Sequence, residues 1–315
     1  MEESKLNRRK FLKTGFSAAT LLALGLNSES VIAKDDFKKL TILHTNDVHS
    51  RIDPFPLDGS LNAGRGGVAP RAALINKIRA EEKNVLLLDA GDIFQGTPYF
   101  NMWGGELEIK MMSMMGYDAS IMGNHDFDNG VEGFAKQLSH ANFPIINSNY
   151  IFADTPMEGK SIPYKIFEKQ GLKIGVYGLG IQLDGLVNSV QYGNTKYQDP
   201  VSKALKYEKE LKLDHKCDLV ICLSHLGYKY KEQKISDVVL ASNVYYTDLI
   251  IGGHTHTFLT TPDSIRNKSG NETLVNQVGF AGINLGRIDY VFSSKNSKKV
   301  SYTSALEVIE NNLKI

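Results

Sequence analysis

The chain has 315 residues, 42% of them hydrophobic, and a formal net charge of +1. This composition fills an ordinary globular core and excludes an intrinsically disordered chain. The basic residues are scattered rather than gathered into a stripe or tail, so no DNA binding driven by overall charge is expected.

The first segment reads as an address rather than as structure. In "LNRRKFLKTGFSAATLLALGLNSESVIA", Arg8 and Arg9 precede Phe11, Leu12 and Lys13, a mildly apolar stretch from Gly15 to Leu26, and small residues near Ala33. The arginine pair and the diluted apolar stretch resemble a twin-arginine export signal. Residues 1–33 are therefore expected to be the signal and 34–315 a single catalytic domain, exported to the periplasm through the twin-arginine machinery. The apolar stretch is too short for a stable membrane span. Cleavage near Ala33 removes five basic and three acidic residues and leaves a charge of −1.

Apolar runs then alternate with helix-like segments. The runs are "LTILH" (40–44), "VLLLDA" (85–90), "ASIMG" (119–123), "KIGVYGLG" (173–180), "DLVICLSH" (218–225) and "DLIIGG" (248–253). Continuous runs of this length suit strands buried on both faces. Helices are predicted near 68–82, 105–116, 130–140, 201–215 and 232–241, which makes the class α/β. Met111, Met112, Met114 and Met115 read as core filler. Cys217 and Cys222 frame an extended segment that would hold their Cα atoms roughly 16 Å apart, beyond the disulfide limit of about 7 Å, so both are expected to be free thiols. "TLVNQVG", "LGRIDYVFS" and "KVSYTSALEV" read as a strand meander at the C-terminal end.

Five of the predicted strands run into polar clusters. They deliver Asp47 and His49; Asp92; the group Asn124, His125, Asp126 and Asp128; His225; and His254 with His256. Alone, each cluster also fits a turn or a capped strand end. Together they place five of the eight histidines at carboxyl strand ends, where open α/β sheets build their sites. Asp47, His49, Asp92, Asn124, His225, His254 and His256 form an oxygen and nitrogen set suited to Mn, Fe, Zn or Co. Seven ligands exceed the needs of one ion. Two divalent ions sharing one carboxylate resolve the count, and such a pair stabilises the attacking and leaving oxygens in displacement at phosphorus.

"LHTNDVHSR", "LLLDAGDIFQGTPYF", "GYDASIMGNHDFDNG", "LSHLG", "IGGHTH" and "NQVGFAGINLGRIDY" resemble the catalytic domain of the 5′-nucleotidase family of calcineurin-like metallophosphoesterases, in order and from about residue 38 to 295. The resemblance implies a four-layer αββα sandwich of two mixed sheets between helices. It assigns Asp47, His49, Asp92 and His256 to one ion and Asp92, Asn124, His225 and His254 to the other, with Asp92 bridging. It also implies hydrolysis of a phosphate ester, with a nucleotide as one candidate substrate, by a hydroxide held between the ions. His125 would face the phosphoryl group and its leaving oxygen, oriented by Asp128, while Asp126 is read as a structural loop residue; the reverse assignment of the two acids stays open. Asn46 and Asp89 are read as hydrogen-bonding groups behind the ligands, and His44, His140 and His215 as packed or solvated. Arg65 and Arg71 could contact phosphate, cap a helix or lie on the surface.

Full-length 5′-nucleotidases carry a second domain that recognises the nucleoside, and the chain is expected to lack it. The readings are a stand-alone phosphatase or phosphodiesterase, a catalytic subunit partnered by a separate nucleotide-binding polypeptide, and a metal-binding protein without turnover. The thiosulfohydrolase branch shares the implied fold and export route, but it too carries a second domain.

Overall fold

The computed structural model describes residues 37–310. The predicted export signal lies outside them. Among the described residues no helix is long and apolar enough to cross a membrane.

The chain opens with β1 (Phe37–Thr45), α1 (Val68–Glu81), β2 (Val85–Asp89), α2 (Pro98–Trp103), α3 (Glu106–Met115), β3 (Ala119–Ser120), α4 (Gly130–Gln137) and β4 (Ile145–Ile146). Short strands β5 (Tyr150–Ile151) and β6 (Ser161–Ile162) lead to β7 (Tyr164–Lys169), β8 (Leu172–Leu179), α5 (Ser189–Tyr192), β9 (Lys196–Tyr197) and α6 (Pro200–Lys209). The remainder is β10 (Leu219–Ser224), α7 (Asp237–Asn243), β11 (Leu249–Gly252), β12 (Asp263–Arg266), β13 (Glu272–Asn276), β14 (Asn284–Ser293) and β15 (Lys299–Val308).

Two large sheets result, ordered β15-β14-β1-β2-β3-β4-β6 and β12-β13-β11-β10-β8-β7, with β5 and β9 paired separately. Side chains alternate between the faces of each strand. In β1 and β2, Leu40, Ile42, Leu86 and Leu88 meet Leu219, Ile221, Leu223, Leu249 and Ile251 of the second sheet in one buried cluster. Their neighbours Leu43, Val85 and Leu87 point the other way, onto Ile75, Ile78, Ile109, Met112 and Phe134 of α1, α3 and α4. On the far side, Val220, Cys222 and Ile250 pack on Ala204, Tyr207, Leu240 and Ala241 of α6 and α7. Three apolar interfaces therefore separate four layers, helix, sheet, sheet and helix. Both cysteines are buried and free.

Two expectations change. The predicted C-terminal meander is split: β13 pairs parallel with β11 in the second sheet, whereas β14 pairs antiparallel with β1 and β15 in the first. The cause is burial, since β13 has Thr273 to Asn276 buried throughout while β14 alternates buried and half-buried positions. The helix expected near 232 starts at Asp237, where the Ser236 hydroxyl accepts from the Val239 N–H, a stop that the charged residues upstream cannot extend.

β1, β2, β3 and β4 run parallel, as do β8, β10, β11 and β13. The carboxyl ends of β1, β2, β3, β10 and β11 thus carry all five polar clusters to one rim, where the two sheets meet.

Candidate functional site

After β1 the chain turns so that Asp47 is fully buried, and its carboxylate is fixed on several sides. Asn46 Nδ2 donates to Oδ2 (2.5 Å), and the His254 N–H donates to Oδ1 and Oδ2 at 2.9 and 3.1 Å. Two residues on, His49 Nδ1 faces the Phe94 carbonyl at 3.2 Å, which leaves Nε2 directed at His256 Nε2, 3.0 Å away. His256 Nε2 lies 3.5 Å from Asp47 Oδ1, and its ring stacks on Phe280 with centroids 5.2 Å apart. Asp47, His49 and His256 form one group able to hold a metal ion.

Asp92, His225 and His254 form a second. Asp92 Oδ1 accepts from the His125 N–H at 2.8 Å, and Oδ2 lies 3.1 Å from His225 Nε2 and 3.8 Å from His49 Nε2, between the two groups. His225 Nδ1 donates to the Ala90 carbonyl at 2.7 Å. Asn124 Oδ1 meets His254 Nδ1 at 2.7 Å. Gly123 lets Asp92 and His225 pack closely against the loop after β3, because a Cβ there would sit 2.2 Å from Asp92 Oδ1 and 2.6 Å from His225 Cε1.

The donor set fits two cations. His225 Nε2 is buried without an aligned hydrogen bond and faces Asp92 Oδ2 at 3.1 Å and Asp47 Oδ1 at 3.9 Å. Burial opposes charge on His225, but Asp92, Asp47 and the Ala90 carbonyl together outweigh it and raise its pKa; the site needs a positive charge between these atoms, which a proton or a metal supplies. Burial lowers the pKa of His49 and holds His254 down to about 4, so both imidazoles stay neutral at pH 7, the form a metal requires.

In the loop after β3, His125 Nδ1 pairs with Asp128 Oδ2 at 2.8 Å, and the ring is partly open to solvent. The hydrogen bond to Asp128 is the largest cause of its raised pKa. Asp126 instead turns inward and accepts four backbone N–H groups, from Asp92, Ile93, Phe94 and Gly123, at 2.8–3.0 Å. It ties the Asp92 loop to the His125 loop.

All nine residues singled out as ligands or catalytic groups, Asp47, His49, Asp92, Asn124, His125, Asp128, His225, His254 and His256, therefore lie in one cluster. Asn46 and Asp89 lie behind it, Asp89 accepting from Thr45, Gly91 and Ser120. His44 is packed inside, with Nε2 taking the Asn276 amide N–H, and His215 is hydrogen-bonded to Tyr164. Arg71 departs from each of its sequence readings: it is 2% exposed and lies beneath the site loops, away from solvent. Arg65 joins Glu310 through a backbone bridge. Sequence reading missed Gln277, whose side chain holds Gly253, Thr255 and Thr257 of the histidine loop, although its place directly after β13 was a usable signal.

A family model for calcineurin-like phosphoesterases matches residues 40–258. The chain belongs to the calcineurin-like phosphoesterase family. Calcineurin-like phosphoesterases use two divalent ions, and the two groups described above could each hold one. It is 35% identical over 280 residues to a snake venom 5′-nucleotidase of Gloydius brevicauda, covering 82% of this chain and 46% of that one. It is 34% identical to a 5′-nucleotidase of Vibrio vulnificus, with 98% of this chain and 59% of the relative aligned. The crystal structure of a 5′-nucleotidase precursor from Thermus thermophilus superposes with a TM-score of 0.78 at 31% identity, over 87% of this chain and 55% of that one. The chain spans about half the length of the curated relatives it matches.

Proposed function

We propose that this phosphoesterase acts on nucleotide-like phosphate esters, with Asp47, His49, Asp92 and His256 holding one divalent ion and Asp92, Asn124, His225 and His254 the other. The observation that carries the reading is the His125–Asp128 pair, which stands beside the two metal-competent groups and is open to solvent. When bound, two ions supply Lewis acidity to phosphoryl oxygens and a water acidic enough to attack phosphorus near neutral pH. The chain's own residues do the rest. Asp128 holds Nδ1 of His125, so Nε2 is free to face substrate, and the raised pKa keeps a proton available there for the leaving oxygen. The charge on His125 also meets negative charge as it develops on the phosphoryl group. Asn46 and the His254 N–H hold Asp47, and Asp126 holds the loop of Asp92, so the ligand atoms are set before substrate arrives.

The 5′-nucleotidase relatives support a nucleotide substrate. We also infer export by the twin-arginine route, on the strength of Arg8 and Arg9, with the periplasm as destination. Initial rates of the manganese-loaded protein on 5′-AMP and bis(p-nitrophenyl) phosphate test the substrate reading. Fast phosphate release from 5′-AMP is expected. Poor rates on 5′-AMP with good rates on the diester would point instead to a phosphodiesterase, or to a nucleotidase whose base-binding groups sit on a separate polypeptide, which co-elution in gel filtration would detect. No turnover of either would refute catalysis.

A further inference from the structure

Beneath the site loops, on the helix side of the first sheet, Ser50, Arg71, Asp89 and Glu108 line one interior cavity of about 10 Å³. That is about the space one water molecule needs. Arg71 is 2% exposed, Glu108 4% and Ser50 fully buried. Nε and Nη1 of Arg71 and both carboxylate oxygens of Glu108 reach no aligned hydrogen-bond partner among the described residues, and the Ser50 hydroxyl sits beside Glu108 without an aligned bond to it. Asp89 differs, since Thr45, Gly91 and Ser120 all donate to it.

A guanidinium and a carboxylate buried without hydrogen bonds are strongly unfavourable. One water, offering two donors and two acceptors, can accept an N–H from Arg71, donate an O–H to Glu108 and hydrogen-bond the Ser50 hydroxyl at the same time. The position of these groups gives the bond a purpose. Ser50 follows His49, its N–H donates to the Ile93 carbonyl at 2.8 Å, and its own carbonyl accepts from Thr97 at 2.7 Å. Ser50 thus couples the Asp47–His49 loop to the Asp92 loop. Arg71 Nη1 lies 2.2 Å from where a Cβ on Gly282 would be, next to Ala281, whose N–H donates to the Asp47 carbonyl at 2.7 Å.

We propose that one internal water links Arg71 to Ser50 and Glu108, and that Arg71 is a positioning residue which keeps the Asp47–Ser50 loop in register with Asp92 for metal binding. The inference rests on the metal assignment made above. Its test is Mn²⁺ titration calorimetry on the full chain, together with melting of the metal-free protein, for the parent, Arg71→Met, Arg71→Met with Glu108→Leu, and Ser50→Ala. Arg71→Met should lower the metal-free Tm and weaken Mn²⁺ binding tenfold or more, the range seen when groups behind metal ligands are removed. The double variant removes the Arg71 and Glu108 charges and leaves Asp89 to its own donors, so its metal-free Tm should recover in part while its Mn²⁺ affinity stays weak. A merely structural ion cluster would restore both. Parent-like affinity in Arg71→Met or in the double variant overturns the proposal. Should Arg71→Met fail to fold, Ser50→Ala decides: several-fold weaker Mn²⁺ binding with a nearly unchanged Tm supports the link, and parent affinity overturns it. A parent that binds no Mn²⁺ sinks the metal assignment and this inference together, whereas a binding parent with equally binding variants sinks the inference alone.

Discussion

Asp126→Asn offers the sharpest separation of the two acids that flank His125. In the parent, Asp126 Oδ1 accepts from the N–H groups of Ile93 and Phe94 at 2.9 and 3.0 Å, and Oδ2 from those of Asp92 and Gly123 at 3.0 and 2.8 Å. Asparagine keeps one oxygen and turns the other into an NH₂ group, so whichever way the amide is oriented, two buried N–H donors face a donor. Each donor so stranded costs about 1–3 kcal/mol, which gives a loss of about 2–6 kcal/mol. For a domain of this size each kcal/mol lowers Tm by about 2–4 °C, so the metal-free variant should melt at least about 4 °C lower. Asp128→Asn breaks only a half-exposed contact to His125, so its Tm should stay close to that of the parent while turnover falls. Thermal melts monitored by circular dichroism, with rates on 5′-AMP or the diester measured on the same samples, read both effects. If Asp126→Asn melts with the parent, the N–H clamp is wrong; if Asp128→Asn keeps full turnover, the orienting role of Asp128 is wrong.

His125→Ala should bind Mn²⁺ in the parent ratio, measured by elemental analysis, and lose about 10²–10⁴-fold in turnover, the usual contribution of a positioned acid; parent turnover would refute its role. Chelation with EDTA should abolish activity, and Mn²⁺ at about 100 times its Kd should add about 2.7 kcal/mol of stability, read as a higher Tm. A Tm indifferent to Mn²⁺ would refute the metal reading. His44 sets a pH dependence of its own: burial drops its pKa from 6.5 to about 3. Between these values the unfolded chain binds a proton that the folded chain refuses, so stability falls as the pH drops below 6.5. From pH 7 to 5 the loss attributable to His44 should reach about 2 kcal/mol, at 1.36 kcal/mol per pH unit. Urea titrations should find that part of the slope missing in His44→Leu, and an unchanged slope would refute the assignment.

The legible parts of this protein were those written in local pattern. "VLLLDA" and "DLVICLSH" announce β2 and β10 because strands covered on both faces read as unbroken apolar runs, and the polar residues that follow them stand out against that background. Two kinds of feature stayed hidden. Sheet membership of β13 and β14 depends on which edge each strand meets, and two strand-like runs separated by a short loop look the same whether they pair or part. Backbone acceptors, such as the Ala90 carbonyl that sets the tautomer of His225 and the Phe94 carbonyl opposite His49, carry no side-chain signal at all. Arg71 misleads for a related reason, since an arginine on a helix beside a site motif reads as a phosphate contact, a cap or surface, and only the packing of α1 under the site loops turns it inward.

Backbone conformation adds an argument that neither motif nor burial supplies. Asp47, His49, Asp92, His254 and His256 all have left-handed backbone, with φ between 50° and 73°. Aspartate and histidine tolerate that region better than most side chains, but a run of such residues still stores strain of order 1–3 kcal/mol at each. Local preference would place glycine at these positions, as it does at Gly91 beside Asp92, where φ is 85°. The strain is held by the surrounding bonds, Asp47 N–H to Gly91 O at 2.9 Å, His49 N–H to Asp92 O at 3.1 Å and the four N–H groups on Asp126 among them. Side chains that a glycine would serve better for folding alone, clamped in place by bonds to one another's loops, mark the positions where the chain gives up stability for the convergence of its donor atoms.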